Sequence, residues 1–188
     1  MNVRIIKPNN LKTTTWSGGT TSEYYIYPEQ SDYKNKDFLF RISSAMIEEK
    51  PARFTSFIGY SRYLTMLDNY LDLSINGRHK IYYQNTLVFF KSEDDVIANS
   101  LGKDFNIMIK EDVSKHSAEI RHGFFTIHDS FAIVFAIEEC EIFINSLPYQ
   151  LKKYDCVLIE NLERREFDLI SSADIVLCRL SLAHDSFF

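Results

Sequence analysis

The sequence lacks several features that would place it in a common class of protein. It has no run of ~18 apolar residues, and its first apolar run, residues 3–6, is too short for a signal peptide. It also has no block of basic residues, since 21 lysines and arginines are outnumbered by 26 acidic residues. These absences speak against membrane and nucleic-acid partners. They predict a soluble, cytoplasmic protein.

Cysteine, glycine and proline are scarce. The cysteines, Cys140, Cys156 and Cys178, are odd in number and widely spaced, and no Cys-x-x-Cys pair occurs. A disulfide framework and a zinc ribbon are therefore excluded, and reduced core residues are expected. Only 6 glycines and 4 prolines stand against 15 phenylalanines and 11 tyrosines. This balance favours strands and argues against disorder.

A sustained helical period is also missing, and short alternating runs recur instead. Residues 71–75 alternate between apolar and polar residues, and Asn76-Gly77 after them indicates a hairpin. Similar runs continue to residue 180, with separate strands predicted at residues 167–170 and 175–180. Residues 17–22 and 29–36 are predicted to be polar loops, and residues 110–119 a loop or one helical turn. The spacing is typical of all-β sandwiches and barrels.

The chain contains an internal repeat. Residues 64–67 and 71–77 align without a gap with residues 133–136 and 140–146, and residues 104–108 align with residues 174–178. The match lies in the pattern more than in identity, and two unrelated β segments can alternate alike. If the repeat is real, the chain is one bicupin-like unit made of a duplicated β-barrel. The N-terminal barrel would span about residues 1–115 and the C-terminal barrel about residues 116–188.

Motifs for metal binding and nucleophilic catalysis are absent. The five histidines, residues 79, 116, 122, 128 and 184, form no His-x-His pair, so we predict no metal and no cofactor. No Gly-x-Ser-x-Gly elbow occurs. The Ser17–Thr20 segment lacks the lysine of a phosphate loop. We interpret it as a turn that brings the backbone close to a partner strand or to a ligand.

Two arginines lie within apolar strand runs. Alternation places Arg41 and Ser43 on one face, and Arg62 follows Phe54, Ser56 and a bend at residue 59. A guanidinium flanked by hydroxyl groups suits a carboxylate, which it can bind through two hydrogen bonds. A solvated position on the sheet surface is the alternative for both arginines. Glu23 opens an apolar strand and could pair with either of them.

These residues resemble the HutD/Ves family. The resemblance rests on Trp16, Gly18-Gly19-Thr20-Thr21 and Glu23, on residues 38–45 and 54–62, and on Asp104-Phe105-Asn106, in family order. It implies a metal-free bicupin of the RmlC-like type. It implies a pocket whose polar residues are Glu23, Arg41, Ser43, Arg62, Asp104 and Asn106. We expect Trp16 and Phe54 to form the apolar walls of this pocket. Ser56 is a further candidate for ligand binding.

The resemblance leaves three functional hypotheses open. The first is a non-enzymatic protein that binds a small carboxylate metabolite and regulates histidine utilisation or a stress response. The second is a metal-free isomerase or lyase that uses Glu23 or Asp104 as its general base. The third is an interaction module whose strand edges pair in a homodimer.

Overall fold

A computed structural model describes residues 1–113 and 115–183 of the 188-residue chain. The described residues form strands β1 to β17 and one 3₁₀ turn, with no α-helix among them, so the all-β prediction is confirmed. No helix in this part of the chain is long and apolar enough to cross a membrane. The strands are β1 Asn2–Ile6, β2 Lys12–Trp16, β3 Gly19–Tyr27, β4 Phe40–Ile47, β5 Ala52–Arg53, β6 Tyr60–Met66, β7 Leu71–Ile75, β8 Arg78–Tyr82, β9 Val88–Lys91, β10 Val96–Ala98, β11 Gly102–Lys110, β12 Lys115–Ile127, β13 Phe131–Ala136, β14 Cys140–Ile144, β15 Leu147–Leu151, β16 Cys156–Glu160 and β17 Phe167–Ser181.

The chain divides into two compact units. One comprises Asn10–Asp112, and the other combines Met1–Asn9 with Val113–Phe188, within the described residues. Strand β1 pairs with β16, antiparallel, from Asn2↔Glu160 to Ile6↔Cys156. The first nine residues therefore belong with the C-terminal half of the chain, whereas the sequence placed them in the N-terminal barrel.

The unit Asn10–Asp112 contains two antiparallel sheets. One has the order β2-β3-β4-β11-β6-β9, and the other has the order β5-β10-β7-β8. Leu64 and Met66 of β6 pack with Leu71, Leu73 and residues from β9 and β10 in an apolar core. This core lies on the same face of β6 as Arg62, because residues two apart on a strand share a face. One face of the larger sheet therefore carries both the apolar core and the arginine.

The other unit contains one seven-stranded sheet. Its path is β1-β16-β13-β17-β14-β15, and β12 pairs with β17. Its core is mostly aliphatic, with Val134, Val157 and Leu177, and also contains Phe125 and Phe167. The three cysteines are free and buried in this unit, as the sequence predicted.

The two units are similar to each other in part of their strand pairing. Strand β6 lies between β9 and β11, and β13 lies between β16 and β17. Each is followed by a hairpin, β7–β8 or β14–β15. Asn76 (φ 50°) and Gly77 (φ 77°) turn the first hairpin, as predicted, and Asn145 (φ 47°) and Ser146 (φ 67°) turn the second. Duplication of a common ancestor remains a prediction.

Three segments differ from the sequence-based interpretation. Residues 17–22, expected to be a polar loop, belong to a hairpin in which β2 and β3 pair from Lys12↔Glu23 to Trp16↔Gly19. Strand β12 begins at Lys115, in a stretch expected to be a loop or a helical turn. Strand β17 joins two predicted strands. Its pairing with β12 passes residues 172–174 through a register shift, from Arg121↔Ile175 to Gly123↔Ser171. The exposed threonines of β2 and the partly buried polar residues at the start of β12 give no hydrophobic alternation that would reveal these strands.

Candidate functional site

A cavity of about 230 Å³ opens within the unit Asn10–Asp112. Its floor consists of β4 and β11, and its sides come from β2, β3, β6, residues 33–34 and residues 54–55. Thr14, Thr15 and Lys34 are exposed at its mouth. The lining residues are Thr14, Thr15, Trp16, Thr21, Tyr33, Lys34, Arg41, Ser43, Ala45, Phe54, Thr55, Arg62, Asp104, Asn106 and Met108.

Strand register aligns the polar residues of the floor in rows. Arg41 and Arg62 flank Met108, since Met108 is the register partner of both arginines. Ser43 lies opposite Asn106 in the next row. Two residues along a strand advance about 7 Å, so the cavity is a groove with cations in one row and hydrogen-bonding groups in the next.

Arg41 is buried and held by an ion pair. Its Nε donates to Glu23 Oε2 at 2.7 Å, and its Nη1 lies 3.5 Å from Ser43 Oγ. The guanidinium carbon lies 4.3 Å from the centre of the Tyr33 ring, within the range of a cation–π contact. Alternation predicted the shared face of Arg41 and Ser43, and Glu23 pairs with Arg41, one of its two predicted partners.

Arg62 is buried among fixed acceptors. Its Nε donates to Ser92 Oγ at 2.6 Å, and its Nη2 donates to the Thr55 carbonyl at 2.6 Å. Burial lowers the pKa of Arg62 to about 10, while the charge and side-chain hydrogen bond of Tyr33 and the charge of Asp104 act in the opposite direction. Arg62 therefore stays positively charged at neutral pH.

Asp104 is the buried carboxyl group of the cavity. Its Oδ1 accepts the Ala45 N–H at 2.7 Å, and its own carbonyl accepts the Ser44 hydroxyl. Burial raises the pKa of Asp104 to about 7, although the Ala45 N–H and the charges of Arg62, Lys103 and Arg41 favour the ionised form. A carboxyl group with this pKa can exchange a proton at neutral pH.

Three buried polar atoms of the cavity residues have no hydrogen-bond partner among the described residues. They are Trp16 Nε1, a donor, and Asp104 Oδ2 and Asn106 Oδ1, both acceptors. Nearly all buried polar groups in folded proteins are hydrogen-bonded. Three such atoms in one cavity therefore point to a ligand-binding site.

Several lining residues were not predicted. Residues 29–36 were interpreted as a solvated loop, yet Tyr33 lines the cavity and its ring centre lies 4.8 Å from that of Phe57. The Tyr60 hydroxyl, 2.8 Å from the Phe38 carbonyl, anchors the end of this segment. A single tyrosine in a polar loop gives no periodic signal, so the sequence could not identify it.

The predicted site residues separate into two groups. Arg41, Ser43, Phe54, Arg62, Asp104 and Asn106 all line the cavity. Glu23 does not line the cavity but forms an ion pair with Arg41, which does. Ser56 is exposed and borders a shallow surface depression, while its neighbour Thr55 lines the cavity.

The four histidines that the structure describes do not line the cavity. His79 Nε2 lies 2.5 Å from Asp72 Oδ1, and His122 Nδ1 lies 2.7 Å from Asp174 Oδ1, with both side chains exposed. His184 lies outside the described residues. Across residues 1–113 and 115–183, no three His, Cys, Asp or Glu side chains are grouped as metal ligands.

The comparisons with known proteins agree with this fold. HutD from Pseudomonas fluorescens SBW25 matches with a TM-score of 0.83 and 19% identity, over 97% of this chain and 100% of that chain. The conserved protein PA5104 from Pseudomonas aeruginosa PAO1 matches with a TM-score of 0.82 and 21% identity, over 96% and 100%. A cupin 2 conserved barrel domain protein from Leptotrichia buccalis matches with a TM-score of 0.59 and 11% identity, over 96% and 98%. The fold is therefore an all-β, cupin-like fold. The comparison with curated protein sequences gave no match.

A comparison with models of protein families also gave a match. The model of the family described as HutD matches residues 8–177, a range that contains every residue of the cavity lining. The chain belongs to the HutD family.

Proposed function

We propose that the chain is a binding protein for a small carboxylate metabolite, held in the cavity by Arg41 and Arg62. The observation that carries the proposal is the presence of two buried guanidinium groups in one cavity. A guanidinium presents paired N–H donors that match a carboxylate, and buried charges need a compensating partner.

The charge balance of the cavity supports an anionic ligand. Glu23 compensates Arg41, but Asp104, with a pKa of about 7, compensates Arg62 only in part at neutral pH. Lys34 adds a further positive charge at the mouth. A bound carboxylate would neutralise this excess inside a groove where screening by salt is weak.

The size of the cavity supports a small ligand. Its volume of about 230 Å³ is below the range of about 300–1,000 Å³ found for drug-sized ligands. Trp16 and Phe54, with ring centres 6.2 Å apart, supply an apolar wall. A compact metabolite with one charged end and a flat or apolar body would fit this combination.

The family name supports a role in histidine utilisation, in which the chain would act as a regulator that senses a pathway carboxylate. The related structure from Pseudomonas fluorescens SBW25 is described for a formate condition, and formate is the smallest carboxylate. We therefore include formate among the test compounds, with acetate, urocanate and formylglutamate-like acids.

A thermal-shift screen tests the proposal. We expect at least one of these carboxylates to raise the Tm of the wild-type protein, and a double variant, Arg41→Ala with Glu23→Gln, to lose that response. The double variant removes both members of the ion pair, so no unpaired buried charge remains. Charge-assisted hydrogen bonds of this kind contribute enough for an affinity loss of roughly ten- to hundredfold.

Arg53→Ala is the matched control, because Arg53 is exposed and pairs with Asp95 outside the cavity. It should keep the full ligand response. A double variant that responds as strongly as the wild type would contradict the role of Arg41.

A metal-free isomerase or lyase is the second candidate, and the properties of Asp104 favour it. Its buried carboxyl group has a pKa of about 7 and an unpartnered oxygen, as a general base requires. Glu23 is less suited, because its carboxylate is engaged by Arg41. Turnover of a bound carboxylate that is lost in Asp104→Asn would establish the enzyme, and tight binding without turnover would favour the binding protein.

A further inference from the structure

The cavity contains two acceptors that a carboxylate cannot satisfy. Asp104 and Asn106 lie two residues apart on β11 and share a face, with 0% and 8% of their surface exposed. Asp104 Oδ2 and Asn106 Oδ1 have no partner among the described residues. A carboxylate only accepts hydrogen bonds, so it can engage the arginines and the Trp16 N–H but not these two oxygens.

Asp104 presents its free oxygen as an acceptor. The Ala45 N–H donates to Oδ1 at 2.7 Å. Burial raises the pKa of Asp104 to about 7 against the opposing charges of Arg62, Lys103 and Arg41, so the group is ionised at pH 8. The free Oδ2 then carries only lone pairs. A second acceptor placed against it would be repelled, whereas a donor would be bound.

We propose that the ligand carries, beside its carboxylate, a nitrogen group that donates hydrogen bonds to Asp104 Oδ2 and Asn106 Oδ1. This inference rests on the proposed function and narrows its ligand class to amide- or ammonium-bearing carboxylates. Two acceptors need two hydrogens, which a primary amide or an ammonium group provides and a single hydroxyl does not. Asp104 and Asn106 are then the residues that determine specificity.

The strand register gives the spacing of the two ends of this ligand. Arg41 lies in the row of Met108, one row from Asn106 and two rows from Asp104. Rows are about 7 Å apart along a strand. Arg41 Nη1 lies 3.5 Å from Ser43 Oγ, and Ser43 is in the row of Asn106, so the arginine side chain shortens the gap that the ligand must bridge. A nitrogen group a few bonds from the carboxylate spans it.

Succinamate and levulinate form a matched pair for the test. Each compound has one carboxylate and one carbonyl group, separated by the same number of bonds. The carbonyl carries an NH₂ group in succinamate and a methyl group in levulinate. We expect wild-type protein to bind succinamate at least about tenfold more tightly than levulinate in calorimetric titrations at pH 8, where Asp104 is ionised. A site built to bind a donor rejects an analogue without it, because its buried acceptors stay unpaired.

Asp104→Asn is the informative variant, because it retains an oxygen for the Ala45 N–H and replaces the free acceptor with an NH₂ donor. Its preference for succinamate should fall to about threefold or less, while its affinity for levulinate is kept or improved by the loss of a negative charge. Asp95→Asn, at an exposed acidic residue outside the cavity, should keep the wild-type preference.

The outcomes separate this inference from the proposed function. If wild-type protein binds both compounds equally, or prefers levulinate, the donor inference is wrong and carboxylate binding stands. The inference is also wrong if Asp104→Asn keeps the full preference. If neither compound nor any carboxylate of the thermal-shift screen binds, the proposed function fails and this inference fails with it.

Discussion

At the scale of single residues, the two arginines of the cavity are held in different ways. Arg41 is paired with Glu23 at the edge of the cavity, while Arg62 donates to the Thr55 carbonyl and to Ser92. Arg62 therefore also holds residues 54–55 against the sheet. Its loss should affect the folded state as well as the ligand.

We expect Arg62→Ala to lower the free energy of unfolding by roughly 3 kcal/mol, because it leaves buried acceptors unpaired and opens a cavity. Urea denaturation would measure this change. Arg53→Ala, at an exposed ion pair, should change the free energy of unfolding by less than about 0.5 kcal/mol. If Arg62→Ala lowered the free energy of unfolding no more than Arg53→Ala does, Arg62 would have no structural role.

The raised pKa of Asp104 makes stability depend on pH. Its folded-state pKa is about 7, above its ordinary value of 3.8, so the folded protein binds more protons than the unfolded chain between these values. The contribution to stability is fully present below about pH 4 and is lost as pH rises through 7. Asp104→Asn removes it.

The free energy of unfolding of the wild type minus that of Asp104→Asn should therefore fall from pH 5 to pH 8, by up to about 3 kcal/mol. Urea denaturation at each pH measures this difference. A difference that stays constant with pH would mean that Asp104 ionises in the folded protein as it does in the unfolded chain, and a difference that rises would equally contradict the raised pKa.

Several of these residues could be predicted from the sequence, for physical reasons. Alternation along one strand correctly placed Ser43 beside Arg41, because neighbours on one face follow from the period of a strand. The approach of Asp104 to Ala45, or of Arg62 to Ser92, depends on register between distant strands. A sequence without known pairing does not contain that information, so these contacts were missed.

At the scale of structural elements, the β2–β3 hairpin positions the apolar wall of the cavity. A Cβ on Gly18 would lie 2.3 Å from two ring atoms of Trp16, and one on Gly19 would lie 2.0 Å from the Met46 carbonyl. The two glycines thus let the backbone approach the indole ring and strand β4. The sequence predicted such a close approach to a strand or a ligand, and the partner is a strand.

We expect Gly18→Ala to displace the Trp16 ring and to weaken ligand binding several-fold, with a loss of about 1–3 kcal/mol of stability from overpacking. Fluorescence measures the effect directly, since Trp16 is the single tryptophan of the chain. Gly77→Ala is the control, because its Cβ would meet no atom within 4 Å and only the backbone at φ 77° would be strained. It should cost about 1 kcal/mol and leave ligand affinity and the emission maximum unchanged.

The segment between β3 and β4 illustrates what sequence patterns miss at this scale. Residues 29–36 are mostly polar, and solvation was the natural interpretation. Tyr33 nevertheless stacks on Phe38 and covers Arg41. An irregular segment has no period, so its buried residues can be recognised only from the surface that it covers.

At the scale of the whole molecule, the chain carries separate reporters for its two units. Trp16 lies in the unit Asn10–Asp112, and all three cysteines lie in the other. Burial raises the pKa of Cys140, Cys156 and Cys178, which suppresses their thiolate forms. Thiol reactivity therefore follows the unfolding of one unit and tryptophan fluorescence follows the other.

We expect no rapid reaction of the three thiols with a chromogenic disulfide reagent in native buffer, and reaction of all three in denaturant. Absorbance of the released chromophore gives the count directly. Reaction of one or more thiols within minutes under native conditions would contradict the burial of these side chains.

The all-β class and most strands could be predicted at this scale, because alternation and turn residues act locally. The pairing of β1 with β16 could not, since the two strands are separated by nearly the whole chain. The same holds for the first part of β12, whose residues are only partly buried. Both features depend on long-range pairing.

A crystal structure of the protein with the carboxylate that gives the largest thermal shift tests the central claim most directly. We predict density for the ligand in the Asn10–Asp112 cavity, with its carboxylate within hydrogen-bond distance of Arg41 and close to Arg62. A carboxylate bound at a site that contacts neither arginine, with the cavity free of it, would contradict the account.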